Sequence, residues 1–520
     1  MLETTFSTAR GAVRVTDAMT LPNGRLAPFR ELARRIEGIS GRVPLSWRVE
    51  PRFGYGAART RFARRAGVPV ATAGSDALAL LAWDAGEPAV DDGAIRGRFD
   101  AMEGTSSLLV LSAAHGEPLV LPARDDAENR IDAADAFWQE WSSRRSYDGP
   151  WKEAVLRSAL ALKLLFYAPS GAVAAAATMS IPERIGGERN WDYRYCWVRD
   201  SAFTVDALLR LGCPAEAHAF FWWLLHATQL THPRLNVLYR LDGGAEADER
   251  TLPLEGYRRS RPVRVGNAAL EQRQLDIYGD LMQTAWLYAN RTGGLDADTG
   301  RRLAAIADLV CEIWRQPDAG IWEVRSEPAH FTQSKMMCWV ALDRARRLAE
   351  AGRIPRGNTA RWEHEANAIR RFVDDRCWSE RSGSYVRHPG TEELDASLLV
   401  GVLTGYSNAS DPRLQGTIEA VRRELARGPL VIRYTDEDGL SAGEGAFLTC
   451  SFWLVDALAR TGRIDEAAET MEELLALAND VGLYAEEIDA DTGDFLGNMP
   501  QGLVHLALIG AAASISEAAR

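Results

Sequence analysis

Helix-period segments repeat from about residue 150 to the end of the chain, and the connections between them alternate in length. The segments fall near 150–166, 199–211, 214–229, 271–290, 297–315, 331–350, 359–375, 394–404, 412–427, 444–460, 463–478 and 499–513, twelve in all. In the first, Val155, Ala159, Leu162 and Phe166 follow the spacing i, i+4, i+7, i+11, which lays one apolar stripe along a helix. The second stops at Gly212-Cys213-Pro214, a glycine and proline terminator. Some connections are short, as at 212–214 and 461–462. Others, at 230–270, 316–330, 378–393, 428–443 and 479–498, are long and rich in Gly, Asp, Pro and aromatic residues. Twelve helices joined in this way make six hairpins that can close into a ring. The long loops would then gather at one end, where a rigid scaffold presents binding and catalytic groups. An open helical array satisfies the same count.

The first 125 residues have a different period. Val13 and Val15 alternate with polar neighbours, and Leu45, Trp47 and Val49 share one face of a period-2 segment. Apolar runs at 108–111 and 119–121 flank Gly116 in the pattern of a hairpin. Gly74-Ser75-Asp76 and Asp91-Asp92-Gly93 read as further turns. A β-sandwich-like domain over 1–125 is expected, N-terminally incomplete because the chain opens almost directly into a strand pattern. The charged stretch 126–149 reads as a helical linker, and 150–520 as the helical domain.

Charge narrows the partners. Lys and Arg number 60 against 72 Asp and Glu, a net −12, with no long run of one sign. Nucleic acid and anionic membrane surfaces both need a basic face, so neither is an expected partner. No apolar run approaches a membrane span, and the start MLETTFSTARGAVRV lacks the pattern of a signal peptide. Six scattered cysteines (Cys196, Cys213, Cys311, Cys338, Cys377 and Cys450) form no CxxC pair. That argues against zinc ribbons and thioredoxin-like chemistry, and for reduced thiols in a cytoplasmic protein. The sequons at Asn290 and Asn408 are then chance matches.

The 16 tryptophans are the compositional outlier. Most serve as core, but an indole face can also stack on the C–H face of a pyranose. The densest segment is Asn190-Trp191-Asp192-Tyr193-Arg194-Tyr195-Cys196-Trp197-Val198-Arg199-Asp200-Ser201. The Arg199–Asp200 pair can bracket vicinal sugar hydroxyls, one group donating and one accepting. It can equally be an ion pair at a helix start. In Trp322-Glu323 a carboxyl beside an indole is partly desolvated, so its pKa rises toward that of a general acid working near neutrality. Glu486-Glu487 lies in a long loop, where adjacent carboxylates are ordinarily solvated. The following Asp489-Ala490-Asp491-Thr492-Gly493 fails as a calcium loop, with Gly493 and Pro500 at ligand positions. Phosphate loops, dinucleotide fingerprints, zinc-protease helices and nucleophile elbows are absent, and the eight histidines, His330 and His505 among them, do not cluster. Paired carboxylates and aromatics on loops of a helical scaffold remain, the inventory of glycoside hydrolysis.

The segments NWDYRYCWVRDS, GIWEVRSEPAHFTQSK, GEGAFLTCSFWLVDALARTGR and LYAEEIDADTGDFLGNMPQGLVHLALI resemble the motifs of glycoside hydrolase family 15, which holds glucoamylases, glucodextranases and a group of trehalases. The resemblance runs from about residue 10 to the C-terminus and is strongest over 185–510. It implies an N-terminal β-supersandwich, a C-terminal all-α (α/α)6 barrel, and an exo-acting, inverting hydrolase that needs no cofactor and no metal. By motif match Glu323 falls at the general acid and Glu486 at the general base. Arg199 and Asp200 match the pair that grips the terminal glucose, Tyr193, Trp197 and Trp322 fall in the pocket motifs, and Arg433 is a weaker match to a sugar-binding arginine. A one-residue slip would move the base to Glu487, but the spacing to Asp489 favours Glu486. Val324 stands where fungal glucoamylases have a second glutamate, so the leaving-group preference need not be that of a starch enzyme. Inversion implies carboxyls roughly 6.5–9.5 Å apart. The expected substrate is a short α-glucan cleaved in glucoamylase fashion, with trehalose as the alternative. A disaccharide phosphorylase and a non-catalytic carbohydrate-binding protein are more distant rivals, disfavoured because both carboxylates are present.

Overall fold

The computed structural model describes residues 1–21, 28, 30–292, 294–435 and 443–520. They form two compact units, Met1–Arg144 and Arg145–Arg520.

The first unit is an antiparallel sheet. Its strands are β1 (Leu2–Thr8), β2 (Gly11–Met19), β3 (Arg30–Val49), β4 (Arg61–Arg65), β5 (Val68–Ala73), β6 (Asp76–Trp83), β7 (Ala89–Asp91), β8 (Ala94–Met102) and β9 (Ser106–His115). The main order is β1-β2-β3-β9-β6-β5-β4. The 20-residue β3 changes partners along its length: 30–37 pair with β9 and 42–49 pair with β8. Ile95 of β8 therefore meets Ile36, Leu80 and Leu109, with Leu45, Trp47 and Val49 packed against them. The opposite face collects Ala33, Val70, Leu81, Leu108 and Val110. Both expected turns, at Gly74-Ser75 and Asp92-Gly93, join paired strands.

Two expectations about this region change. Residues 119–121 form no hairpin with 108–111, because β3 and β6 already occupy both edges of β9. Pro118 and Pro122 also remove two donors from the segment. The charged segment beginning at 126 is no free linker: most of it lies in helix α1 (Arg124–Ser143), whose Ala127 and Ile131 join the sheet core. Inside this unit Arg130 forms a two-pronged ion pair with Glu31 at 2.9 and 2.6 Å, both side chains buried.

The second unit is helical. In order come α2 (Lys152–Leu165), α3 (Ser201–Arg210), α4 (Pro214–Gln229), α5 (Ile277–Thr292), α6 (Ala297–Ile313) and α7 (Thr332–Glu350). Then follow α8 (Thr359–Arg376), α9 (Val400–Leu403), α10 (Pro412–Leu425), α11 (Leu448–Arg460), α12 (Ile464–Leu475) and α13 (Gly502–Ala518). Helices α3, α5, α7, α9, α11 and α13 each touch the next, and α13 touches α3. The others lie against this set: α2 on α13, α4 on α3, α6 and α8 on α7, and α10 and α12 on α11.

Composition separates the two sets. Helix α13, GLVHLALIGAAASISEA, is apolar nearly all round and buried from Gly502 to Ile515 except at Gly510. Helix α12 buries only Ala467, Met471 and Leu474, one stripe at i, i+4, i+7. Asp296 caps α6 by accepting from the N–H groups of Asp298 and Thr299, and Asp411 caps α10 ahead of Pro412. Three helices start later than their apolar pattern suggests, the segment expected at 394–404 becoming α-helical only from Val400 after a 3-10 turn at Ala396–Leu399. Residues 268–271 form a separate 3-10 turn before α5, and 446–447 pair as a strand with 487–488 before α11. No helix among the described residues is long and apolar enough to cross a membrane.

Candidate active site

Segments that lead into the touching helices converge on one pocket of about 580 Å³, open mouth included. Trp191, Tyr193 and Arg199 come from before α3, and Asn267 and Gln272 from before α5. Trp322, Glu323 and Arg325 precede α7, Arg433 and Phe447 precede α11, and Glu486 precedes α13. Glu183 and Arg189 complete the acidic and basic lining.

The Glu323 loop is tied down at its base. Asp318 and Ala329 exchange backbone hydrogen bonds at 2.9 and 3.0 Å. The Asp318 carboxylate accepts from Leu275 N–H and from the Ser334 hydroxyl, which ties it to the entrance of α5 and to α7. At the tip, Glu323 N–H donates to Gly320 and Val324 N–H to Ala319. This turn forces Glu323 to φ +59, a left-handed conformation that costs a non-glycine residue on the order of 1–3 kcal/mol. Gly320, at φ +68, carries no Cβ because one would lie 2.7 Å from the Phe331 ring. Glu323 Oε1 then accepts from Trp197 Nε1 at 2.6 Å and from Arg199 Nη1 at 3.3 Å. Burial raises the Glu323 pKa, and the Arg199 guanidinium and the Trp197 hydrogen bond oppose that rise. Desolvation is thus the cause expected from sequence, but the indole that bonds the carboxylate is Trp197. Trp322 instead donates its N–H to Asp395 at 2.8 Å.

Glu486 is held differently. It precedes the short strand Glu487–Ile488, with its N–H on Asn498 O and its carbonyl accepting from Leu448. Neighbours on extended chain point opposite ways. Glu486 lines the pocket, while Glu487 turns inward, accepts from Gly445 N–H at 2.7 Å and is fully buried. Glu486 Oε1 accepts from Tyr193 Oη at 2.6 Å, and its buried Oε2 has no hydrogen-bond partner among the described residues. Gly497, at φ +72, makes room, since a Cβ there would stand 2.7 Å from that same Oε2. Burial and the neighbouring Glu183 charge both push the Glu486 pKa up; Tyr193, Arg433 and Arg199 pull it down.

Arg199 donates to Asp200 at 2.8 Å and to Ile321 O at 3.1 Å, which fixes its guanidinium at the pocket wall. Asp200 and Trp197 are not among the lining residues; they hold Arg199 and Glu323 from one layer back. Arg433 pairs with Glu183 at 3.2 Å and with both oxygens of Glu444. Carboxylate oxygens of Glu183, Glu444 and Glu487 lie within 4.8 Å of one another, with the Arg433 guanidinium among them and Arg189 3.3 Å from Glu444. Asp489 forms a tight turn, its side chain accepting from Asp491 and Thr492 N–H groups. His505 is a core residue on Ser158, held neutral because burial pushes its pKa down to about 3.

Sequence reasoning brings six residues to the pocket wall: Tyr193, Arg199, Trp322, Glu323, Arg433 and Glu486. It does not single out Glu183, Arg189, Trp191, Gln272 or Arg325 as wall residues. Trp191 and Arg325 do stand inside the aromatic and acid-bearing motifs, which was the available signal.

The sequence model described as "Glycosyl hydrolases family 15" matches residues 149–513. A protein named trehalase from Mycobacterium tuberculosis is 37% identical over 549 aligned positions, covering 100% of this chain and 80% of that one. A trehalase from Thermoplasma volcanium is 38% identical over 390 positions, 75% of this chain and 62% of that one. Among solved structures, a bacterial glucoamylase complexed with acarbose superposes with a TM-score of 0.72 at 14% identity, covering 97% of this chain and 82% of that one.

Proposed function

The chain belongs to the glycosyl hydrolases family 15, and from that premise we propose that this glycoside hydrolase is a trehalase working with inversion. On this reading the touching helices are an (α/α)6 barrel and the N-terminal sheet is the family's β-supersandwich. The sequence expectation of a glucoamylase-type substrate gives way. Relatives named trehalase align over the whole chain at 37% identity, whereas the glucoamylase likeness, at 14%, carries the fold alone. That full-length similarity is the observation that supports trehalose over a glucan.

Glu323 is the general acid and Glu486 the general base. One Glu323 oxygen is occupied by Trp197 and Arg199, which leaves the other to carry the proton to the glycosidic oxygen. Burial raises the pKa of Glu323, the direction a proton donor needs. The partnerless Oε2 of Glu486 is the acceptor for a proton from the attacking water, while Tyr193 fixes the other oxygen. Arg199, locked by Asp200, and Trp322, locked by Asp395, grip the glucose that is attacked. Arg433 lines the same pocket and holds the Glu183 charge beside the base.

The test is a comparison of kcat/KM for trehalose, maltose, isomaltose and maltotriose, with and without phosphate. Trehalose should be preferred and phosphate should yield no sugar phosphate. Faster turnover of maltose would return the enzyme to the glucoamylase type. Glucose 1-phosphate formed only with phosphate would make it a phosphorylase.

A further inference from the structure

Exposure grades the pocket from floor to mouth. Glu486 is 2% exposed, the Glu323 side chain 20%, and the Arg325 side chain 32%. Arg325 follows the acid by two residues on the same loop and lines the same pocket. It is also built in. Its guanidinium carbon lies 4.4 Å from the Trp191 ring centroid, and that of Arg264 lies 4.5 Å from the same ring. Glu249 ties the two arginines together, accepting from Arg264 at 3.2 Å and from Arg325 at 3.0 Å. Trp191 itself lines the pocket together with Glu183. Arginine–aromatic contacts of this kind add attraction and hold a planar guanidinium in one orientation before any ligand arrives.

A general acid must sit beside the glycosidic oxygen, so groups that follow it toward the mouth face the leaving sugar. We propose that Arg325, held by Trp191 and Glu249, binds the hydroxyls of the leaving glucose and so sets the preference for a disaccharide. This rests on the trehalase reading and names the group that selects its second sugar. A fixed guanidinium offers several donors and no acceptor. It rewards a leaving group rich in hydroxyls and gives nothing to one without them.

The discriminating probe is α-glucosyl fluoride, whose leaving group has no hydroxyls, and the readout is the ratio of kcat/KM for trehalose to that for the fluoride. Arg325→Met should lower this ratio roughly 10–100-fold, the worth of one lost charge-assisted hydrogen bond, chiefly through KM. Glu249→Gln, which keeps the arginine and loosens its anchor, should lower it by a smaller factor. An unchanged ratio in Arg325→Met would overturn the proposal. So would a parallel loss on both substrates, which would place the effect on the acid's loop. Fluoride turnover also reports that each variant is folded with its inner site intact. If the wild type splits maltose and not trehalose, the trehalase reading fails, and the same ratio taken with maltose still decides the role of Arg325. Wild-type turnover of the fluoride alone would overturn both.

Discussion

Glu323 sits at a left-handed turn with an arginine and an indole N–H on one oxygen. Glu486 sits ahead of a two-residue strand with a phenol on one oxygen and no hydrogen-bond partner on the other among the described residues. Burial raises both pKa values, but the opposing groups differ. A guanidinium bonds Glu323 directly. Around Glu486 the largest influences after burial are another carboxylate, Glu183, and a neutral phenol, ahead of Arg433 and Arg199. On the proposed mechanism the difference lies in what each oxygen is left free to do: Glu323 keeps one oxygen to present a proton, and Glu486 keeps one to accept it.

The largest expected effect removes each role in turn. Glu323→Gln and Glu486→Gln should each cut trehalose turnover roughly 10²–10⁴-fold, measured on folded protein by glucose release. α-Glucosyl fluoride sharpens the contrast, because fluoride leaves without protonation. Glu323→Gln should recover much of its loss on that substrate and Glu486→Gln should not. Equal losses on both substrates would erase the assignment of distinct roles.

Gly497→Ala comes next. It places a Cβ at 2.7 Å from Glu486 Oε2 on backbone at φ +72, so it should displace the base and lower kcat by roughly tenfold or more, since small misplacements cost rate steeply. Wild-type kcat in a folded variant would mean that Oε2 need not stand where it does.

Smaller effects appear in the pH profile. The acidic limb of kcat/KM reports the group that must be ionised, and the alkaline limb the group that must be protonated. Both carboxyls are raised, so the optimum should lie above the ordinary carboxylate range of roughly 4. Tyr193→Phe removes a hydrogen bond that favours the Glu486 anion, so the acidic limb should move to higher pH. Glu183→Gln removes a like charge, so the limb should move to lower pH. Shifts in the same direction from both variants would contradict this electrostatic picture.

Most of the helices were legible because they keep an apolar stripe; all twelve expected segments contain a helix among the described residues. The late starts of α5, α9 and α11 were not: residues 268–271 are capped locally by Asn267 and tied to Glu249, residues 396–399 form a 3-10 turn capped by Asp395, and 446–447 pair with 487–488. The same holds for the hairpin expected at Gly116, where the competing strands β3 and β6 decide the pairing. In the site, Glu323, Arg199 and Glu486 stood inside recognisable motifs. Glu183 did not. It meets Arg433 across 250 positions of sequence, and no local period records such a contact. Glu249 and Arg264 became partners of Arg325 only through the loop before α5.

Proton NMR of trehalose hydrolysis in progress, read before the sugars mutarotate, tests the paired roles of Glu323 and Glu486 on this substrate most directly. Inversion at one carbon and retention of the untouched anomer in the leaving sugar require α- and β-glucose to appear in equal initial amounts. Initial release of α-glucose alone would mean retention and contradict a water activated by Glu486. Absence of any glucose from trehalose, with maltose cleaved, would contradict the substrate.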